Sequence, residues 1–335
     1  MPPTLPRLFL LTLLIGLGSL SGQTTKRPLN SADIDGWRNF SSTTLSPNGD
    51  WLAYGDYPQH GNGEIVMRQL ETDREIRVPA GAIPPLPFPR PTHPDERRPT
   101  PETPKLHFTS DSRFLLSTTF PTLETFSALR RASRQHNPKF TRDLVITDLA
   151  NGKSRRVPTV QSVQVPTRGG SWAAYLLAPD PRLPKTTPAL GSTLVLRNLE
   201  TGREHRFSYV TEYQFARDGR TLLYAVSSPR LRKNGVYTYT LGDRASPRTL
   251  LRDKAHYLKL TWNHEQTQAA FFGKLTGRRK DNTPWQLYLW NRSDRKPTLI
   301  PSSTWGTGSS NMQLSEHGSI RFTRDDRKLI IPLAP

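Results

Sequence analysis

No cysteine occurs in the 335 residues. That excludes disulfide staples, thiolate metal ligands, cysteine nucleophiles and lipid attachment through a thiol. Helix-period apolar patterns are absent beyond Asn30, which excludes a helical bundle. Acidic residues are in the minority: 28 Asp and Glu face 47 Lys and Arg, a formal charge of +19. Such an excess suits a polyanion ligand, because guanidinium pairs well with phosphate and carboxylate. The basic residues are scattered, however, over Arg97-Arg98, Arg130-Arg131, Arg155-Arg156, Arg230 to Lys233 and Arg278 to Lys280. They form no stripe with interleaved aromatics, the pattern of a nucleic-acid channel, so no nucleic acid is expected as a partner.

Two catalytic signatures are missing as well. His60, His93, His107, His136, His205, His256, His264 and His317 include no H-E-x-x-H pair and no zinc spacing, and read as surface or turn residues. No G-x-S-x-G elbow occurs; Arg168-Gly-Gly-Ser171-Trp lacks its spacing and its strand-to-helix context. Asp33-x-Asp35-Gly36 opens like a calcium loop but lacks the downstream ligands and the twelfth-position Glu. No catalytic, cofactor or metal residue is therefore assigned, and no cofactor is expected.

What is present is punctuation and alternation. The 31 prolines and 22 glycines suit a loop-rich β protein. Between Gly191 and Leu251 three hairpin-like units follow one another. Leu194 and Leu196 fall on one face of a strand, Val195 and Arg197 on the other, because strand side chains alternate. Glu200-Thr201-Gly202-Arg203 and Arg217-Asp218-Gly219-Arg220 supply turn chemistry. The same pattern recurs along the chain, with Leu45, Phe108, Phe215, Trp262 and Phe322 each standing just before a turn. The intervals suit a unit of about 40–50 residues enlarged by insertions, the period of a propeller blade. Residues 163–179 read as a degenerate copy. The expected fold is all-β: a β-propeller of five to six four-stranded blades over residues 45–335. Two insertions interrupt it, a proline-rich one at 82–105 and a polar, basic one at 121–142 with helical character around Thr125 to Arg134.

The first 21 residues read as a secretory signal peptide. Arg7 is the positive region, Leu8 to Leu20 the apolar region, and Ser19 and Ser21 the small residues of a cleavage site. That apolar run is too short to cross about 30 Å of hydrocarbon as a helix. Residues 22–44 read as a linker, with Ser31 capping a short helical turn through Asp35. Export to the periplasm or the outside is expected, with no membrane span left after cleavage. The chain stops at Pro335 just after a strand. Either an N-terminal strand closes the ring or the chain is part of something longer.

The blocks D-G-W (35–37), LSPNGDWLAY (45–54), GEIVMRQLETDREIRVP (63–79), GGSWAAYLLAP (169–179) and GSTLVLRNLETGREHRFSYVTEYQFARDGRTLLYAVSS (191–228) resemble the N-terminal propeller of exported bacterial peptidases of the prolyl oligopeptidase (S9) family. Their order and spacing resemble that family over nearly all of residues 27–335. Turns of the S-P-D-G kind are also shared with TolB-type propellers. The family's serine, aspartate and histidine lie in a C-terminal α/β-hydrolase domain that this sequence lacks, so the resemblance implies a non-catalytic, substrate-gating propeller. The other reading is a stand-alone periplasmic TolB-like propeller that docks a protein. The implied partners are a hydrolase domain, another periplasmic protein or a peptide. Trp172, Trp262, Trp285 and Trp290 read as blade-packing aromatics. Gly219→Val is expected to destabilise the fold by roughly 1–3 kcal/mol, and the same change at Gly61 to matter little.

Overall fold

In the computed structural model the described residues are 28, 30, 33, 37–84, 102–133, 140–179, 190–242, 246–276, 283–305 and 312–335. The chain divides into two units, Met1–Trp37 and Arg38–Pro335. In the first, Asn30 Oδ1 accepts the Asp33 N–H (3.1 Å) and Asp33 Oδ2 accepts the Asn30 N–H (2.9 Å), a reciprocal cap on a helical turn. Ser31, Asp35, the signal-like segment and most of the proline-rich insertion lie outside the described residues.

Every sheet of the second unit is antiparallel. Its first blade is β1 (Arg38–Leu45), β2 (Trp51–Pro58), β3 (Gly63–Gln69) and β4 (Glu75–Gly81), hydrogen-bonded in that order. Residues 38–44, read from the sequence as linker, form most of β1. The Ser/Thr-rich strand is largely exposed and so carries no apolar alternation to announce it. A ten-stranded sheet follows: β5 (Leu106–Phe108), β6 (Phe114–Thr119), β7 (Arg142–Asp148), β8 (Ser154–Gln164), β9 (Trp172–Leu177), β10 (Ser192–Asn198), β11 (Glu204–Phe215), β12 (Thr221–Val226), β13 (Gly235–Thr240) and β14 (Pro247–Arg252). It contains three blades because two strands are shared. The first half of β8 pairs with β7 as an outer strand, and its second half pairs with β9 as the next inner strand, meeting at Val160. β11 does the same between β10 and β12, meeting at Val210. Thr159 (φ 55°) and Tyr209 (φ 60°) take left-handed backbone just before each crossing, which bends the strand into the next blade.

The fifth blade is β15 (Ala255–Trp262), β16 (Gln268–Leu275), β17 (Gln286–Asn291) and β18 (Thr298–Ile300). A half-blade follows, made of β19 (Gln313–Leu314), β20 (Arg321–Phe322), β21 (Leu329–Ile330) and β22 (Leu333–Ala334); β19 pairs with β22 and β20 with β21. Among the described residues no strand of the first blade shares a sheet with β19–β22. The all-β propeller expected from the sequence is the fold observed.

Alternation decides how the blades stack. Leu115 and Val145 of blade 2 face blade 1, while Phe114, Leu116, Leu144 and Ile146 face blade 3. In blade 3, Tyr175 and Val195 face back, and Leu194 and Leu196 face forward with Tyr213 and Leu222. In blade 5, Phe271 faces back and Phe272 forward. Blades 2 to 5 are thus two-sided apolar sheets, and each buried aliphatic or aromatic side chain contributes about 1.5–3 kcal/mol. The helix α1 (Leu123–Ser133) fills part of the second insertion. Thr122 caps it, accepting the Thr125 N–H at 3.3 Å, and Asn62 Oδ1 takes the Leu123 N–H at 2.8 Å. Phe126 anchors it against Phe140, with ring centroids 6.0 Å apart.

Five of the turns leading from inner to second strand share one conformation. Gly49, Ser112, Gly219, Gln266 and Asp326 are all left-handed, with φ from 56° to 83°. Each N–H bonds the carbonyl three residues earlier at 2.9–3.2 Å. These turns also link neighbouring blades. Ser112 Oγ accepts the Asn48 N–H at 3.0 Å, and Ser110 Oγ accepts the Gly170 N–H at 3.1 Å. Gln266 Oε1 accepts the Arg217 N–H. The Asp326 carboxylate accepts the N–H groups of His264 (2.7 Å) and Glu265 (2.8 Å) and the Asn263 amide (3.0 Å). One end of the blade row is therefore sewn together by its turns.

Candidate functional site

The opposite end of the strands holds a cavity. Gln161 of β8, Glu212 of β11, and His256, Tyr257 and Leu258 of β15 line a cavity of about 320 Å³, together with Gly191 before β10. These are the inner strands of blades 3, 4 and 5, so the cavity sits at the mouth where three blades begin. Glu212 Oε2 accepts the Leu260 N–H at 2.9 Å, joining blade 4 to blade 5. Burial raises the Glu212 carboxyl above its usual range, against the weaker opposing pull of that hydrogen bond and of Lys259. His256 Nδ1 is buried without a hydrogen-bond partner among the described residues. Burial lowers its pKa, so the imidazole is neutral, with Glu316 opposing weakly. The mouth thus offers one carboxyl group with a raised pKa and one neutral imidazole.

Neither residue was legible as a site. His256 and also His107, whose Nε2 is likewise buried without a partner and whose pKa is lowered by burial, lie half-buried on inner strands and not at the surface. Glu212 occurs in Thr-Glu-Tyr-Gln, where nothing but its place at a blade crossing distinguishes it.

Because burial raises the Glu212 pKa on folding, its contribution to stability is full below the unfolded carboxylate range. It is lost as pH rises through the raised folded value. Glu212→Gln keeps an acceptor for the Leu260 N–H and removes the charge. The variant is expected to melt above the wild type at pH 7, the gap closing towards pH 4; thermal melts at both pH values check it, and equal gaps would contradict the assignment.

A second cavity of about 360 Å³ lies between blade 5 and the half-blade, lined by Trp285, Leu299, Ile300, Trp305, Met312 and Leu314 among others. Trp305 Nε1 is buried without a hydrogen-bond partner among the described residues. The Lys274 ammonium stands 5.7 Å from the Trp285 ring centroid. Trp290, Trp262 and Trp172 pack within the blade interfaces as expected; Trp285 packs beside Phe272 at the interface of blade 5 and the half-blade and also lines this cavity.

The hydroxyls near carboxylates or at the mouth differ in setting. Ser171 is buried, donates to Asp111 and lies 3.2 Å from Glu200 Oε1. The Asp111 carboxyl is held low by Ser171 and Thr109, against desolvation. Ser227 is buried, its N–H on the Tyr209 carbonyl (2.9 Å) and its carbonyl on the Gly191 N–H (2.9 Å). Ser192 lines the mouth cavity with Glu212 and His256, yet among the described hydrogen bonds none joins it to either. Among the described residues no group of three or more His, Asp or Glu is placed to hold a metal ion. No described helix is long and apolar enough to cross a membrane.

No family model and no curated protein matches the sequence. Several solved structures are similar to the chain. The β-propeller domain of the Trilobed protease from Pyrococcus furiosus is 10% identical, with 90% of this chain and 79% of that chain covered, at a TM-score of 0.40. TolB from Acinetobacter baumannii is 10% identical over 79% and 55% of the two chains, at 0.34. Acylaminoacyl peptidase from Pyrococcus horikoshii is 8% identical over 82% and 41%, at 0.37. The chain therefore spans less than half the length of that peptidase. At such identities and scores the fold stands on the blades described above.

Proposed function

We propose that this chain is a non-catalytic binding propeller, exported from the cell that makes it, which holds a polypeptide segment at the mouth end of its blades. The observation that supports this reading is the convergence of three inner strands on one cavity holding Glu212 and His256. Its size, about 320 Å³, suits a side chain or two of a ligand. Both groups can exchange hydrogen bonds with such a ligand. Serine acyl transfer would need a hydroxyl already bonded to a base and facing an oxyanion hole. The finer form of the reading, carried by the sequence blocks at 45–54 and 191–228, makes the partner a serine hydrolase whose site the propeller gates. A stand-alone docking propeller is the other form.

The purified chain from Gly22 onward is expected to hydrolyse no peptide or ester and to take no fluorophosphonate label. Stoichiometric labelling lost on heat denaturation would overturn the non-catalytic reading and direct attention to Ser192, then to Ser171 and Ser227. Display selection from randomised peptides is expected to yield binders that Glu212→Gln with His256→Ala weakens. Binders indifferent to both changes would remove the mouth assignment. A fluorophosphonate-labelled chain that co-purifies with the propeller from its own cells favours the gating form.

A further inference from the structure

In blades 1 to 3 arginine is repeatedly met by a carboxylate. Arg38 stands 2.6 Å from Asp56, Arg77 2.7 Å from Glu75, and Arg156 3.2 Å from Asp143. At the mouth end of blade 4 the pattern reverses. The loop between β12 and β13 exposes Arg230, Arg232 and Lys233, and the link from β14 to β15 exposes Arg252 and Lys254. The fold joins the two segments. Arg252 Nε donates to the Arg232 carbonyl at 2.6 Å, Asp253 N–H to the Asn234 carbonyl at 3.2 Å, and Gly235 pairs with Arg252 in the ladder. Among the described residues none of the five cations forms an ion pair. The only carboxylate within the two segments, Asp253, takes the Lys254 N–H at 2.7 Å.

This corner is braced from beneath. Asn234 is fully buried; its Oδ1 accepts the Ser228 N–H at 2.7 Å, and its Nδ2 donates to the Ala255 carbonyl at 3.0 Å. Tyr237 donates its hydroxyl to the Lys233 carbonyl at 2.7 Å. Like charges repel, so five cations gathered on a fixed backbone lower stability unless something neutralises them. In their midst Leu231 remains 40% exposed. An aliphatic side chain among cations serves a ligand that is both acidic and partly apolar. A sulfated sugar or a nucleic acid offers it nothing, and among the described residues no exposed aromatic stands with the charges.

We propose that this corner docks an acidic polypeptide segment carrying an aliphatic residue. The charges steer the partner and fix its register, and Leu231 meets the aliphatic side chain. The proposal rests on the binding reading above and names its partner class.

The test uses a fluorescein-labelled Glu-Asp-Glu-Leu-Glu-Asp-Glu peptide, with a heparin fragment of similar charge as comparator, in low-salt anisotropy titrations of the whole mature chain. R230E/R232E/K233E is expected to weaken peptide binding about tenfold or more, since three attractive charges become repulsive ones at the contact. R324E/R327E/K328E, which removes the same net charge at the sewn end, is expected to weaken it by less than about threefold, through the long-range field alone. Leu231→Ala is expected to weaken the peptide by about threefold and leave heparin unchanged. Equal losses in both triple variants, or no loss in either, would overturn the proposal. So would a Leu231→Ala variant that binds the peptide like the wild type, or heparin binding tighter than the peptide. Should the display-selected peptides bind while this acidic probe does not, the corner assignment falls and the binding reading stands. Matching thermal melts exclude misfolding of the triple variants.

Discussion

Gly219→Val is expected to lower the unfolding free energy by about 3 kcal/mol or more, at the top of the range that the turn chemistry alone implies. Two costs combine. Gly219 has φ +64°, a left-handed conformation that a β-branched residue resists. A Cβ there would also run into the Arg168 carbonyl oxygen and the Gly169 Cα of the preceding blade's turn. Neither neighbour is a flexible side chain, so two blades would have to part. Gly61 does not serve as the neutral control expected from the sequence. Its φ is +124°, so any side chain there is strained as well. Gly49 separates the two costs, having φ +83° with nothing within 4 Å of an added Cβ. Gly49→Ala should cost about 1 kcal/mol and Gly219→Ala clearly more. Urea melts of the two alanine variants decide it, and equal midpoints would remove the inter-turn contact from the account.

The reason this turn was legible is local. Asp218-Gly219 announces a turn through its own backbone preferences, and the alternation of Leu222, Leu223 and Tyr224 announces the strand that follows. The same holds for Leu194 to Arg197, whose two faces enter two different blade interfaces as the period of two requires. The helical character read around Thr125 to Arg134 is matched by α1. What stayed hidden depends on pairing between distant segments. Nothing in Ser-Tyr-Val-Thr-Glu (208–212) tells that one strand leaves blade 3 and enters blade 4. That crossing is what places Glu212 beside the strand holding His256. Gln266 and Asp326 do the work of glycine in their turns without glycine's signature. The cations at Arg230–Lys233 and at Arg252 and Lys254 are far apart in sequence, and only the β13–β14 pairing makes one patch of them.

Trp290→Ala is expected to cost about 4 kcal/mol, the range for truncating a buried aromatic. Trp290 is 2% exposed at the interface of blades 4 and 5. It lies in one cluster with Ala269, Phe271, Leu223 and Tyr257, its ring 5.8 Å from that of Trp262. Its Nε1–H donates to the Asp294 carbonyl at 3.1 Å, tying β17 to the turn that follows it. Removal leaves a void that two sheets cannot close without shifting their register, because close-packed interiors relax only partly. Trp290→Phe restores most of the volume and forfeits the hydrogen bond, so a loss of about 1–2 kcal/mol is expected. Trp285→Ala is the discriminating partner. That side chain lines a cavity and is only partly buried, so its loss should cost about 1–2 kcal/mol. Chemical denaturation of the three variants gives the order Trp290→Ala well above the other two. A Trp285→Ala variant as destabilised as Trp290→Ala would mean that the cavity beside the half-blade is part of the blade core and not a surface open to a ligand.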